Sequence, residues 1–114
     1  MQIMIPGVPE KLTFAVVASI GITIVTAVLA AAYGLVGGGL IALVLAGLTY
    51  WYVYRNLAGT PATAKLVALI VAIVHAFFAI VSISLRIPLF FLLDVASAGC
   101  LFYAFVMLQR WSPV

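Results

Sequence analysis

The chain has 114 residues, of which 68% are hydrophobic and 6% are charged. A soluble domain carries about 25% charged residues, so this composition excludes a surface that faces water, and we expect most of the surface to face lipid. The net charge of +3 comes from basic residues that stand singly, whereas a nucleic-acid site needs clustered Lys and Arg, so we expect no nucleic-acid partner.

Four apolar runs predict four membrane-spanning helices, since about 20 apolar residues cross the hydrocarbon core of a bilayer. The predicted spans are about 12–32, 40–57, 64–85 and 88–109, separated by the glycines between 34 and 39, by Gly59-Thr60-Pro61 and by Arg86-Ile87-Pro88. We predict an all-α fold: an integral membrane four-helix bundle, one domain over 1–114, built from two tandem transmembrane hairpins. Ala46-Gly47 and Ala98-Gly99 stand 52 residues apart, as in a duplicated hairpin.

The charged and aromatic residues predict how the bundle lies in the membrane. With four spans, one side carries four basic residues and the other carries Arg86, so the positive-inside rule predicts a multi-pass protein with both termini in the cytoplasm. Aromatic rings near basic residues mark the boundary between membrane and water. The expected interfacial anchors are Trp51, Tyr52, Tyr54 and Trp111.

Each predicted helix has one stripe of small or polar residues spaced by three or four. Helices meet in lipid through such residues, so we predict that the stripes face inward. The members are Ser19, Thr23, Thr26 and Ala30 in the first helix, Gly39, Ala42, Ala46 and Thr49 in the second, Ala64, Ala68, Ala72, His75, Ala79, Ser82 and Arg86 in the third, and Asp94, Ser97 and Ala98 in the fourth.

Asp94 lies about two turns into the fourth predicted helix. A carboxylate at the centre of a span costs about 2.5–3.5 kcal/mol on insertion scales, so it needs a partner. Arg86 is the expected one, because side chains lean toward the N-terminus of their helix and the two would lean toward each other. Asp94 is interpreted as part of a structural ion pair or an interhelical hydrogen bond, as a titrating site for protons or cations, or as a contact with another subunit.

His75 lies near the middle of the third predicted helix. It is interpreted as a packing residue bonded to Thr23, Thr26 or Thr49, or as part of a proton relay with Asp94, since histidine titrates near neutral pH. It is also a candidate cofactor-binding residue, either for quinone or for a haem whose second ligand would be Met107 or come from a second subunit.

No arrangement typical of catalysis, of a metal site or of a phosphate-binding loop occurs in the sequence. Cys100 is the chain's one cysteine and cannot form an intrachain disulfide. We therefore expect no enzyme activity, no metal and no cofactor.

In length and helix count, the chain resembles the small multidrug-resistance transporters, which work as dimers of four-helix subunits. That family depends on an acidic residue within its first helix, whereas here Glu10 precedes the first span, so no site residue is carried over from the resemblance.

Two functions are expected from the sequence, with a third as a further hypothesis. The first is an accessory or structural subunit of a larger membrane complex, for example a respiratory one. The alternative is a small oligomeric transporter or a proton- or cation-conducting protein that uses Asp94, Arg86 and His75. The third is a membrane subunit that binds a cofactor at His75. The expected partners are the lipid bilayer and either other membrane subunits or further copies of the chain.

Overall fold

The computed structural model describes residues 7–111, and within that range the chain is helical with no strand. α1 spans Glu10–Ala32, α3 spans Pro61–Ser84 and α4 spans Pro88–Trp111. α2 is α-helical over Val36–Leu48 and continues as a π-helical turn, Thr49–Val53, and a 3-10 turn, Tyr54–Asn56. The predicted all-α four-helix bundle is confirmed, although the ends of the predicted domain, 1–114, lie outside the described residues.

All four helices are long and apolar enough to cross a membrane, as in a multi-pass membrane protein. The bundle is 41 Å along its longest axis, close to the roughly 40–45 Å of a bilayer that includes its headgroup regions. The chain runs up and down, so one end of the bundle carries the two hairpin turns and the other carries the middle loop, the start of α1 and the end of α4. We call these the turn end and the terminal end.

The two hairpin turns close in the same way. Two residues after the end of α1 and of α3 stands a residue in the left-handed conformation, Gly34 with φ 80° and Arg86 with φ 60°. In both turns the next amide N–H bonds back to a carbonyl of the last helical turn, Leu35 to Ala30 at 2.8 Å and Ile87 to Ser82 at 2.9 Å. This arrangement is the Schellman motif. Gly34 and Arg86 are 52 residues apart, as two copies of one hairpin would place them.

The predicted stripes face the inside of the bundle. In α2 all four stripe residues are buried, and in α3 the four alanines of the stripe are buried. In α4 Asp94 and Ser97 are buried. The half-buried stripe residues are Thr26, Ser82 and Ala98. Arg86 is the exposed member. α4 packs against both α1 and α3, and the Val36–Leu48 part of α2 packs against α1. α3 meets the second helix mainly through its π-helical turn, Thr49–Val53.

α2 begins at Val36, earlier than the predicted start at residue 40, because the Schellman motif closes the turn and leaves the following glycines free to be helical. Gly39 is where α2 approaches α1 most closely among these glycines. A Cβ atom there would lie 3.1 Å from the backbone oxygen of Ala27, whereas a Cβ at Gly37 would meet nothing within 4 Å.

We therefore expect Gly39→Leu to lower the free energy of unfolding by about 1–3 kcal/mol, the usual cost of forcing extra atoms into a packed contact. Gly37→Leu is the matched control: it brings the same change in helix propensity without a close contact, so it should not lower the free energy of unfolding. The measurement is reversible unfolding in mixed micelles of increasing SDS content, followed by far-UV circular dichroism. Equal stability of the two variants would contradict a close α1–α2 contact at Gly39.

Candidate functional site

His75 and Asp94 meet inside the bundle, between α3 and α4. The imidazole Nδ1 lies 3.6 Å from Oδ1 of Asp94, and the two side chains are 2% and 12% exposed. The Ser82 hydroxyl, two residues before the end of α3, donates to Oδ2 of Asp94 at 3.5 Å. The carboxyl group of Asp94 is thus shared between a histidine and a serine of the neighbouring helix, and both contacts are long.

A group of hydroxyls beside the pair joins α1 to α4. Thr23 donates to the Ser19 carbonyl at 2.7 Å, and Ser19 donates to the Ser97 carbonyl at 3.5 Å. The hydroxyl oxygens of Thr23 and Ser97 are 3.2 Å apart. Because the single hydroxyl hydrogen of Thr23 is already used, Ser97 is the donor in this contact. The result is a polar layer that crosses the bundle at the level of His75.

A small cavity of about 60 Å³ lies against the His75–Asp94 pair. Its lining is apolar on the α2 side and at Phe78 of α3. Its polar members are Thr23, Thr26, His75 and Asp94. Both ring nitrogens of His75 are buried and have no hydrogen-bond partner among the described residues. Buried polar atoms are normally satisfied, so this imidazole has unused hydrogen-bonding capacity next to a space.

The threonines proposed as packing partners of His75 bond elsewhere. The Thr26 hydroxyl donates to the Ile22 carbonyl at 2.8 Å, and the Thr49 hydroxyl donates to the Leu45 carbonyl at 2.8 Å. Each bond stays within its own helix, four residues back. Of the partners expected for His75 from the sequence, the one that the structure places in polar contact with it is Asp94.

The structure does not bring Arg86 to Asp94. Arg86 is exposed and adopts a left-handed conformation just after α3, and the ionisable side chain that approaches Asp94 is His75 instead. The sequence argument assumed that Arg86 continues the helix and leans back along it. A left-handed residue after the helix end points elsewhere, and Arg86 instead lines a surface groove with Tyr33 and Leu35 at the turn end.

The chain does not place His75 and Met107 as two ligands of one haem. Met107 packs against the apolar core and stands 13 residues beyond Asp94 on the same helix, which is about 20 Å of axial rise. His75 contacts Asp94, so the two candidate ligands lie too far apart. Among residues 7–111, no group of three or more His, Cys, Asp or Glu side chains could hold a metal ion.

The four aromatic residues named as interfacial anchors all lie at the terminal end of the bundle. Trp51, Tyr52 and Trp111 are 56%, 44% and 38% exposed, while Tyr54 is half-buried and stacks on Tyr50 with ring centroids 5.6 Å apart. The guanidinium of Arg55 lies 4.4 Å from the ring centroid of Trp51. Sequence reasoning did not predict that this aromatic cluster lies on a π-helical turn.

Comparison with models of protein families, with curated proteins and with solved structures finds no match to this chain. The functional argument therefore depends on the geometry of the His75–Asp94 site.

The position of Arg86 leads to a stability prediction. The left-handed conformation costs an L-residue roughly 1–2 kcal/mol, and glycine avoids this cost. Glycine also has more conformational freedom in the unfolded chain, which lowers the free energy of unfolding by up to about 1 kcal/mol. We expect Arg86→Gly to raise the free energy of unfolding by up to about 1 kcal/mol and Arg86→Lys to leave it unchanged, in the same SDS titration. A buried Arg86–Asp94 pair would give the opposite sign, a loss of about 3–5 kcal/mol for Arg86→Gly.

Proposed function

We propose that the protein is a small membrane transporter or proton-conducting protein in which His75 and Asp94 form the site that takes up and releases protons. The observation that carries the proposal is the burial of an acid and a histidine against each other within the membrane-spanning part. Ionisable residues in such segments are costly and generally mark paths for protons, ions or substrates.

The surroundings of the pair support a site that changes its protonation. A purely structural ion pair requires good geometry and further hydrogen bonds to offset the cost of desolvation. Here the Nδ1–Oδ1 distance is 3.6 Å, and neither imidazole nitrogen has a hydrogen-bond partner among the described residues. The adjoining cavity of about 60 Å³ leaves room for these groups to exchange protons.

The placement of basic residues supports an orientation with both termini in the cytoplasm, which is part of the proposal. Lys11, Arg55, Lys65 and Arg110 all belong to the terminal end of the bundle, while Arg86 belongs to the turn end. Basic residues are enriched on the cytoplasmic side of membrane proteins. The turns at Gly34 and Arg86 would then face the outside of the cell or the corresponding compartment.

The proposal predicts proton flux that depends on Asp94. Purified protein in liposomes with a trapped pH-sensitive dye and an imposed potential should admit protons faster than empty liposomes. Asp94→Asn keeps the shape of the side chain but removes its charge, and we expect it to lower the rate at least tenfold.

Glu10→Gln is the matched control, since Glu10 is the other acidic residue of the chain and is exposed at the start of α1. It should conduct like the unaltered protein. Equal flux through Asp94→Asn and the unaltered protein, or flux no faster than in empty liposomes, would rule out the proposal.

A role as an accessory subunit is a second candidate, favoured by an apolar groove of about 700 Å³ between α1 and α4. Its lining includes Ala18, Ala96, Gly99 and Cys100. Small residues on an outer face allow another helix to approach closely, and a Cβ atom at Gly99 would meet nothing within 4 Å in this chain.

Gly99→Leu would fill this groove without disturbing the chain's own packing. We expect the variant to lose partner subunits during purification in mild detergent from native membranes, as measured by mass spectrometry of the bound proteins. Gly21→Leu is the control, since a Cβ atom at Gly21 also meets nothing within 4 Å. Isolation of the unaltered protein without any other subunit would contradict the accessory role.

A further inference from the structure

The polar groups of the bundle descend from the turn end toward the middle. At 1.5 Å per residue, Thr26 on α1 and Asp94 on α4 each lie about 9 Å from the turn end of their helices, and His75 lies about 14 Å from the end of α3. Ser82 lies nearer that end and bonds to Asp94. Ser82, Asp94 and His75 thus form a chain of polar contacts on the turn side of His75, and Thr26 lines the same cavity.

The other half of the bundle is apolar at its centre. From the level of Ser19 to the terminal end, the largest fully buried side chains are predominantly aliphatic. We call this set the leucine plug; its members are Leu12, Val16, Val53, Leu57, Leu101 and Leu108. The buried hydroxyl of Thr13, at the same level, donates to the Pro9 carbonyl at 3.3 Å, so it is already bonded within its own helix.

The cavity next to His75 has its outer edge on α2. Gly38 and Ile41 line it and are both exposed, and the α-helical part of α2 packs against α1 rather than against α3. Gly38 is the third residue of α2 and lies about 3 Å from the helix end, which corresponds to the headgroup region of a bilayer. The edge of the cavity is thus near water at the turn end.

We propose that this cavity is a water-binding site, and that it fills from the turn end and is closed toward the terminal end by the leucine plug. A volume of about 60 Å³ exceeds the roughly 10–15 Å³ that one water molecule needs, so the cavity has room for water. Such water requires two to four polar partners, which Thr23, Thr26, His75 and Asp94 supply. Water there also satisfies the imidazole nitrogens that have no partner among the described residues.

The inference deepens the proposed function and rests on it in treating His75 and Asp94 as the site that exchanges protons. One-sided hydration makes the turn end the side from which protons reach the pair. The leucine plug is then the barrier that a conducting or transporting protein has to open, and it separates the two sides of the membrane in the conformation described.

The test is the accessibility of introduced cysteines to silver ions, which are small, travel in water and react with thiolates. Variants are made in Cys100→Ser and reconstituted in liposomes in one orientation. Thr26→Cys and Gly38→Cys probe the cavity, and Ala104→Cys and Ala68→Cys probe the apolar core around the plug. Ser84→Cys at the turn end and Gly59→Cys at the terminal end identify the two sides.

Silver added on the side that labels Ser84→Cys should react with Thr26→Cys and Gly38→Cys within about tenfold of the reference rate. Ala104→Cys and Ala68→Cys should react at least 100-fold more slowly from either side. Reaction is counted by the loss of maleimide labelling after denaturation, and gel filtration checks that each variant folds. The proposal fails if Thr26→Cys is as slow as the core cysteines, or if either cavity cysteine reacts from the side that labels Gly59→Cys.

This outcome is independent of the flux measurement. Labelling of the cavity cysteines without any Asp94-dependent flux would support the water site and overturn the proposed function. Asp94-dependent flux without labelling of the cavity cysteines would support the proposed function and overturn the water site.

Discussion

A carboxyl group two turns inside a membrane-spanning helix is the constraint around which the bundle is arranged. Asp94 cannot face lipid without a cost of several kcal/mol, so α4 has to turn this side toward α3, where His75 and Ser82 contact it. With that face fixed, Ser97 meets Ser19 and Thr23 on α1. α4 is therefore the helix that joins the two hairpins, and α2 is left to pack against α1.

The helices and their buried faces could be predicted from sequence because both depend on local pattern. About 20 apolar residues are needed for each crossing, and small or polar residues at helical spacing indicate the faces that pack. The start of α2 could not be predicted in this way. Glycines such as Gly37 and Gly39 look alike in sequence, and their different surroundings depend on how close α1 comes.

The sequence predicted which residues belong to the candidate site, but it predicted only some of the contacts between them. His75 and Asp94 were both placed on inward stripes, and their meeting follows from the packing of α3 on α4. Arg86 was assigned to the same stripe because periodicity does not show where a helix ends. Only the backbone conformation, with φ 60° at Arg86, reveals that the stripe stops before it. The cavity beside His75 depends on the gap left by α2, which no local pattern specifies.

The way the hydroxyl groups are bonded has a consequence for the order of insertion into the membrane. Thr23, Thr26 and Thr49 each donate to a carbonyl of their own helix, so the helices that carry them can enter lipid before their neighbours exist. Asp94 bonds instead to Ser82 across the hairpin. Because synthesis proceeds from the N-terminus, α3 leaves the ribosome ahead of Asp94. Asp94, which is costly to place in lipid alone, thus belongs to α4, and its partners Ser82 and His75 belong to the helix that is made before it.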